Sequence, residues 1–373
     1  RSIRILQIIY QMKIAYNGSI FFTQRYGGIS RYFCSIINEY INDKKTIKVF
    51  SPIFKNNYLL NLPRKNIHGF YLPRYPTPNF FKSMVDYTSC YQIKNSEFDI
   101  VHDTYYSPSI LTLKNKKKVL TVYDLIHEKF DKLYKDNNLE FKKKIIKEAD
   151  AIICISENTK RDLMEYYGTN EKKIHVSYLG WDHIPKNSTS NFAEVLNIPK
   201  NFIFFVGSRY RYKNFDLFLN SYRMSKKIKK DFDIICFGGE KFSKKEKETF
   251  KEFGIEKKIL HFYGNDDLLQ YLYTTARLFI FPSQYEGFGI PLLEAMSVCC
   301  PVLASDTNIF KEICKNGIHY FKNNDQHDLT ERLEFLLYSD SNLSSKKDLA
   351  LSICDKYSWK KCAKETYEVY KKL

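Results

Sequence analysis

No run of eighteen or more apolar residues occurs in this chain of 373 residues, so no segment has the length to span a bilayer as a helix. Cysteine pairs are missing as well. The nine cysteines are scattered, with no CxxC and no Cys/His spacing suited to zinc. Cys154 in AIICIS and Cys236 in DIICFGG lie inside apolar runs, where a thiol behaves as a small hydrophobe. That usage suits a reducing, cytoplasmic compartment. GxGxxG is absent, which leaves little support for dinucleotide binding. The net charge of +17 comes without a zinc finger, an RNP-type aromatic signature or a heptad-linked basic region, so nucleic acid has no motif behind it. Solenoid repeats and low-complexity tracts do not stand out either.

What the chain does have is enough apolar residue, 44%, for two cores. Short apolar runs recur, each ending in small or polar residues. KIAYNG, IKVFSP, FDIVHDT, KVLTVYD, AIICIS and IHVSYLG occupy the first half; FIFFVGS, DIICFGG, ILHFYG, LFIFPS and PVLASD occupy the second. Helical patterns between them at βαβ spacing predict parallel strands covered on both faces. The fold class is therefore α/β, two doubly wound parallel-sheet domains. The Pro/Asn/Ser-rich stretch GWDHIPKNSTSN (180–191) predicts the junction, giving domains over 12–183 and 184–356. Residues 1–11 read as an extension upstream of a start at Met12. Lysines cluster in KNKKK (114–118), KKKIIK (142–147) and KKIKK (226–230). Solvated surface accounts for most of them; an anionic substrate or an anionic membrane surface remains open.

In doubly wound sheets ligands bind where strands end and helices begin. After LFIFPS comes QYEGFGIP and then LLEAMSV, with Pro291 suited to a first helical position. Glu286 falls in the loop and Glu294 at the end of the first helical turn, around the free amides of Gly287, Phe288 and Gly289. Carboxylates beside donating amides suit a polyol; a capped helix with acids at its positive end explains the same residues about as well. A metal site lacks a further His or acid at suitable spacing. Arg209 and Lys213 in VGSRYRYKN place cations below another strand end, where phosphate binds, although an exposed basic loop is the commoner reading of such a pair. Gly27-Gly28 precedes a helical pattern in RYGGISRYF. VHDTYYSP and TVYDLIHE bring His102, Asp103, Tyr123, Asp124 and His127 to strand ends, with structural hydrogen bonding at least as good an account of each. Asp231-Phe-Asp233 has a metal-binding DxD pattern but begins a strand, and reads as chance.

Together these pieces resemble the family 4 retaining glycosyltransferases of GT-B fold, over nearly the whole chain from Met12. The match runs through GGISRY, ADAIICISENTKRDL, VGSRYRYKN, FGG at 237–239 and FYGNDDLLQYLYTTA. FPSQYEGFGIPLLEAMSVCCPVLASD is its most specific part and looks like the family's E-x7-E signature. GGISRYF with the two strand-end motifs is most similar to a branch rich in mannosyl- and rhamnosyltransferases. The resemblance implies two Rossmann-like domains facing across a cleft, with the final helix (357–372) packing back on the first. It implies transfer of a hexose from a nucleoside-diphosphate sugar, GDP-mannose first and UDP-sugars open, to a glycan or lipid-linked saccharide, without cofactor or metal.

Carried over position by position, Glu286 would hold donor-sugar hydroxyls with the Phe288 and Gly289 amides, and Glu294 the ribose. Arg209 and Lys213 would neutralise the diphosphate, assisted by the Gly28 amide, and backbone near Tyr263 would read the base. Gly27, Ser208, Gly287, Ile290 and Leu293 complete the donor-binding set. Tyr123 stands where the family often has His, so Asp124 becomes the candidate for contact with the transferred sugar, with His102, Tyr123 and His127 on the acceptor side. Cys299 replaces a usual glycine. The family retains configuration by front-face attack, so Glu286 is not assigned as a covalent nucleophile. A nucleotide-sugar 2-epimerase of the same fold and a non-catalytic sugar- or lipid-binding protein are the competing classes. Localisation would be cytoplasmic, with a peripheral place at the membrane open.

Overall fold

The computed structural model describes residues 11–75, 79–131, 139–181 and 192–373. Most of the expected extension (1–10) and of the expected junction (182–191) lies outside them. The chain divides into two compact units. The first comprises the chain to Leu125, Lys135–Gly180 and Trp359–Leu373; the second comprises Ile126–Tyr134 and Trp181–Ser358.

The first unit holds a seven-stranded sheet: β1 (Lys13–Asn17), β2 (Thr46–Phe54), β3 (Ile67–Tyr71), β4 (Ile100–Asp103), β5 (Lys117–Val122), β6 (Ala151–Cys154) and β7 (Ile174–Val176). Their order is β3-β2-β1-β4-β5-β6-β7, parallel throughout. The second unit holds six parallel strands: β8 (Phe202–Val206), β9 (Asp233–Phe237), β10 (Ile259–Phe262), β11 (Leu278–Phe281), β12 (Val302–Ser305) and β13 (His319–Phe321). Their order is β10-β9-β8-β11-β12-β13. All eleven apolar runs form strands. The central ones are enclosed on both faces, which is why they lack alternation.

Among the described residues, the helices that frame the strand ends or build the two cores are α1 (Ser19–Thr23), α2 (Gly28–Asn42), α3 (Asn79–Lys94), α4 (Ile126–Lys129), α5 (Phe215–Met224), α6 (Lys244–Glu252), α7 (Asp266–Thr275), α8 (Ile290–Ser297) and α9 (Trp359–Lys371). In the first unit α9 packs along α2, burying Trp359, Cys362, Ala363, Thr366, Val369 and Tyr370. The Tyr40 hydroxyl donates to the Ala363 carbonyl at 2.8 Å, and the Tyr370 hydroxyl meets that of Tyr16 at 3.0 Å. The last helix thus supplies part of the first unit's core. In the second unit Phe205, Phe215, Phe218 and Tyr222 join β8 to α5, and Phe215 meets Phe205 edge-on at 4.7 Å.

Eight of the nine cysteines are buried and all are free. Burial pushes the Cys154 and Cys236 thiols up, which keeps them as unreactive packing groups.

Candidate functional site

The order of the second sheet reverses between β8 and β11, so the loops leaving these two strands run to opposite sides and open a crevice at their carboxyl ends. Two bonds tie the loops together there. Lys213 Nζ lies 2.5 Å from Glu286 Oε1, and the Gln284 amide donates to the Tyr212 carbonyl at 2.7 Å. Both ionic side chains are mostly enclosed, 17% and 12% exposed, so water screens the pair less than a surface contact. The two cations expected to act as a pair therefore have separate acidic partners.

Arg209 is the more deeply placed cation, with 3% of its side chain exposed. Its guanidinium lies over the Phe242 ring at 4.7 Å, Nε donates to Glu246 Oε1 at 2.7 Å and Nη2 to the Glu240 carbonyl. Nη1 is buried without a hydrogen-bond partner. A donor left open on an otherwise fixed fork is what an anion would complete. Glu246 divides its two oxygens. One holds Arg209; the other accepts the Ser243 amide at 2.7 Å in a capping box that starts α6. Burial pushes the Glu246 carboxyl up, but Arg209 and Ser243 outweigh it and hold it below the usual range.

The acid loop ends at Gly289, the N-cap of α8, whose φ of 104° is a left-handed conformation that side chains rarely adopt. Glu294, the fifth residue of α8, is buried and accepts from the Tyr273 hydroxyl of α7 at 3.3 Å. Phe288 is buried against Tyr357, and Leu293 is fully buried, so its side chain belongs to the core. Ser208 and Ile290 are half-buried at the same edge. Tyr263 follows β10, half exposed, edge-on to His261 at 4.4 Å. The Gly239 backbone comes so close to Gly207 that a Cβ there would stand 2.6 Å from the Gly207 carbonyl oxygen. That contact packs the β8 and β9 loops together. Asp231 and Asp233 are engaged elsewhere, with the Tyr338 hydroxyl and with Lys258, and no cluster of three or more His, Cys, Asp or Glu suited to a metal occurs among the described residues.

In the first unit Gly27 caps α2 in an extended conformation, and the Ser30 amide in the first turn donates to Gln24 Oε1 at 3.3 Å. A Cβ on Gly28 would meet nothing within 4 Å, so packing does not demand glycine there. His102 departs from its expected role on the acceptor side. It is fully buried, stacked on Tyr16, with Nδ1 2.6 Å from the Tyr370 hydroxyl and Nε2 2.8 Å from Thr121 Oγ1. Burial pushes its pKa down to about 3, so it is a neutral core residue. Asp103 is equally buried; it accepts from the Ser107 amide at 2.7 Å and from Asn17, while burial raises its pKa to about 7. Tyr123 is buried edge-on to Tyr32 and Phe33, with its hydroxyl lacking a hydrogen-bond partner. Asp124 is half-buried just beyond β5. His127 belongs to α4, and α4 groups with the second unit, not with the first domain as expected. The neighbouring Phe130 ring stacks on Tyr212 at 6.0 Å, and Lys129 lies 4.6 Å over the Tyr285 ring.

Glu246, Glu240 and Tyr273 are missing from the sequence-derived set. Ser243-Lys-Lys-Glu246 is a legible capping box, so Glu246 carried a signal; the Glu240 carbonyl and Tyr273 carried none.

Two family models match the chain, Glycosyltransferase Family 4 over residues 26–183 and Glycosyl transferases group 1 over residues 187–350. An O-antigen chain mannosyltransferase B of Escherichia coli is 23% identical over 286 residues, 72% of this chain and 74% of that protein. The O-antigen chain mannosyltransferase RfbU of Salmonella typhimurium is 27% identical over 187 residues, 48% of this chain and 49% of that protein. Among solved structures, Anabaena HepE in complex with UDP-glucose aligns with a TM-score of 0.75 at 15% identity, covering 97% of this chain and all of the other.

Proposed function

The chain belongs to the family 4 glycosyltransferases of GT-B fold, and from that premise we propose that it moves a hexose from a nucleoside-diphosphate sugar to a glycan or lipid-linked saccharide with retention of configuration. The observation that carries the reading is the Lys213–Glu286 pair at the sheet's switch point, with the open Nη1 of Arg209 on the same β8 loop as Lys213. A cation and an acid 2.5 Å apart can separate to serve two parts of one ligand, Lys213 a phosphate and Glu286 a sugar hydroxyl. Arg209 Nη1 supplies a second donor to the diphosphate. Glu294 takes the ribose, and the backbone near Tyr263 the base.

In the reaction the bond from the anomeric carbon to the β-phosphate oxygen breaks, and the acceptor oxygen bonds to that carbon on the same face. The acceptor proton passes to the departing phosphate oxygen. Charge that develops on the leaving diphosphate is met by Arg209, Lys213 and helix-terminal amides, which is why no metal is invoked. Asp124, Tyr123 and His127 are the candidates for contact with the transferred sugar and the acceptor. GDP-mannose is the first donor to try, supported by the names of the two curated relatives; a UDP-sugar is second, supported by the HepE complex. No described helix is long and apolar enough to cross a membrane. The lysine clusters support a peripheral place at an anionic membrane surface.

A thermal-shift screen of GDP-, UDP- and dTDP-sugars tests the proposal. Stabilisation by one of them, lost in Arg209→Ala, supports it. Stabilisation by none overturns it.

A further inference from the structure

The contacts that hold Arg209 lead back to a residue with no part in the proposed reaction, His261 of β10. Two consecutive left-handed glycines, Gly238 and Gly239, turn the chain after β9, with φ of 71° and 69°. β10 fixes that turn through both backbone groups of one residue. The Gly238 amide donates to the Phe262 carbonyl at 3.1 Å, and the Gly238 carbonyl lies 2.8 Å from His261 Nε2. A carbonyl only accepts, so Nε2 carries the proton. Two residues further on, the Glu240 carbonyl accepts from Nη2 of Arg209. The backbone from Gly238 to Glu240 thus joins the His261 bond to the guanidinium.

A second connection runs through rings. The Arg209 guanidinium lies 4.7 Å over the Phe242 ring, and the His261 ring is 5.1 Å from the same Phe242. Phe250 of α6 meets Phe242 edge-on at 4.9 Å, which leaves that ring little room to shift. His261 also meets the half-exposed Tyr263 edge-on at 4.4 Å, at the proposed base edge. Burial, together with the Arg209 charge, holds His261 below its ordinary pKa against the pull of the Gly238 carbonyl and Glu246. The imidazole is therefore neutral and sets no second positive charge beside the arginine.

An open Nη1 serves an anion well only when the rest of the fork is fixed, and each acceptor that fixes it needs its own support. The capping box with Ser243 supports Glu246. The turn that His261 holds supports the Glu240 carbonyl.

We propose that His261 is a positioning residue for donor binding: by holding the Gly238–Glu240 turn and packing on Phe242 it sets the Arg209 guanidinium for the diphosphate, and it joins that site to the base edge at Tyr263. The proposal rests on the glycosyltransferase reading and deepens its donor site.

The test is calorimetric titration of the full chain with GDP and UDP, using whichever binds more tightly for a double-variant cycle. His261→Phe keeps a ring against Phe242 but loses the N–H, whereas His261→Gln keeps a donor for the Gly238 carbonyl. His261→Phe should weaken binding about fivefold to tenfold, the scale of one hydrogen bond, and His261→Gln should bind more tightly than His261→Phe. Arg209→Lys keeps the charge and loses the planar fork. In that background, adding His261→Phe should change affinity by less than about twofold, since no fork is left to orient. The same factor in both backgrounds overturns the proposal, because a general loosening of the second unit acts whatever residue stands at 209. Wild-type affinity in His261→Phe overturns it too, as does an equal loss in His261→Phe and His261→Gln. Binding of neither GDP nor UDP by the wild type overturns the glycosyltransferase reading and this proposal together; the other failures overturn the proposal alone.

Discussion

Lys213 and Glu286 stand 2.5 Å apart, ammonium to carboxylate, on loops from two adjacent strands of the second sheet. The pair has to part when a ligand uses both groups, so each side chain matters through the other. Lys213→Ala and Glu286→Ala should each lower kcat/KM for transfer by about 100-fold, on the scale of losing one charge-stabilising donor. The double variant should cost little more than either single one. Steady-state kinetics of the full cycle measures this, and strict additivity would mean that the two groups act independently.

Gly28 offers a cleaner separation of stability from function. Its Cβ position is open space in the first turn of α2. Gly28→Ala should therefore stabilise the first unit, by up to about 1 kcal/mol, because alanine is the better helix residue. If a diphosphate must approach the Gly28 amide, the same change should lower transfer severalfold. Thermal melts and kinetics on one preparation decide it; unchanged transfer would remove Gly28 from the site.

Cys299 has a φ of 59°, the left-handed region, just past the Val298 C-cap of α8. This gives a physical reason for the glycine expected there: the left-handed turn favours a residue without a Cβ. Cys299→Gly should stabilise the second unit by about 1 kcal/mol, the rough cost of that conformation for a side-chain-bearing residue. Denaturant midpoints measure it, and a loss of stability would show that the thiol's packing outweighs the strain.

Eleven of the strands were legible as apolar runs, because enclosed strands leave continuous hydrophobic signatures. The two strands without such runs, β3 and β13, are edge strands. β3 alternates buried and exposed residues and contains Gly69, while β13 is only three residues long. Arg209, Lys213, Glu286 and Glu294 could be located because strand ends dictate where loops open. Their partners could not, since pairing depends on side-chain direction. His102 shows the limit most clearly: expected at a strand end, it lies within β4, and Tyr370, 268 residues further on, covers one ring nitrogen.

His102 and its neighbour Asp103 make opposite demands on pH. Buried His102, with its pKa pushed down to about 3, accepts a proton more readily unfolded than folded, so its contribution to stability is lost as pH falls below its ordinary value of 6.5. Buried Asp103, raised to about 7, binds its proton more tightly when folded, so stability is lost as pH rises from its ordinary value of 3.8 towards 7. Between about pH 4 and 6.5 the two slopes oppose each other. Asp103→Asn removes one of them. The difference in unfolding free energy between wild type and variant should change by about 1.4 kcal/mol per pH unit through that window, moving against the wild type as pH rises. Urea midpoints at pH 4.5 and 6.5 measure it; parallel pH dependence would show that Asp103 titrates normally.

Glu246 joins helix capping to the orientation of Arg209, and three variants can pull these roles apart. Ser243→Ala removes the hydroxyl that accepts the Glu246 amide but leaves the Arg209–Glu246 contact, so stability should fall by about 1 kcal/mol with donor KM unchanged. Glu246→Ala keeps that hydroxyl bond, whose donor is the backbone amide, but removes the carboxylate that accepts the Ser243 amide and Arg209. It should cost a comparable amount of stability while raising donor KM, because the guanidinium loses the carboxylate that fixes its fork. Glu246→Gln keeps one acceptor oxygen, which can serve the cap or the arginine but not both with full charge, and should fall between the two. Melting curves paired with donor KM for the three variants test this division. A rise in donor KM in Ser243→Ala equal to that in Glu246→Ala would mean that the helix end itself positions Arg209, with the carboxylate incidental.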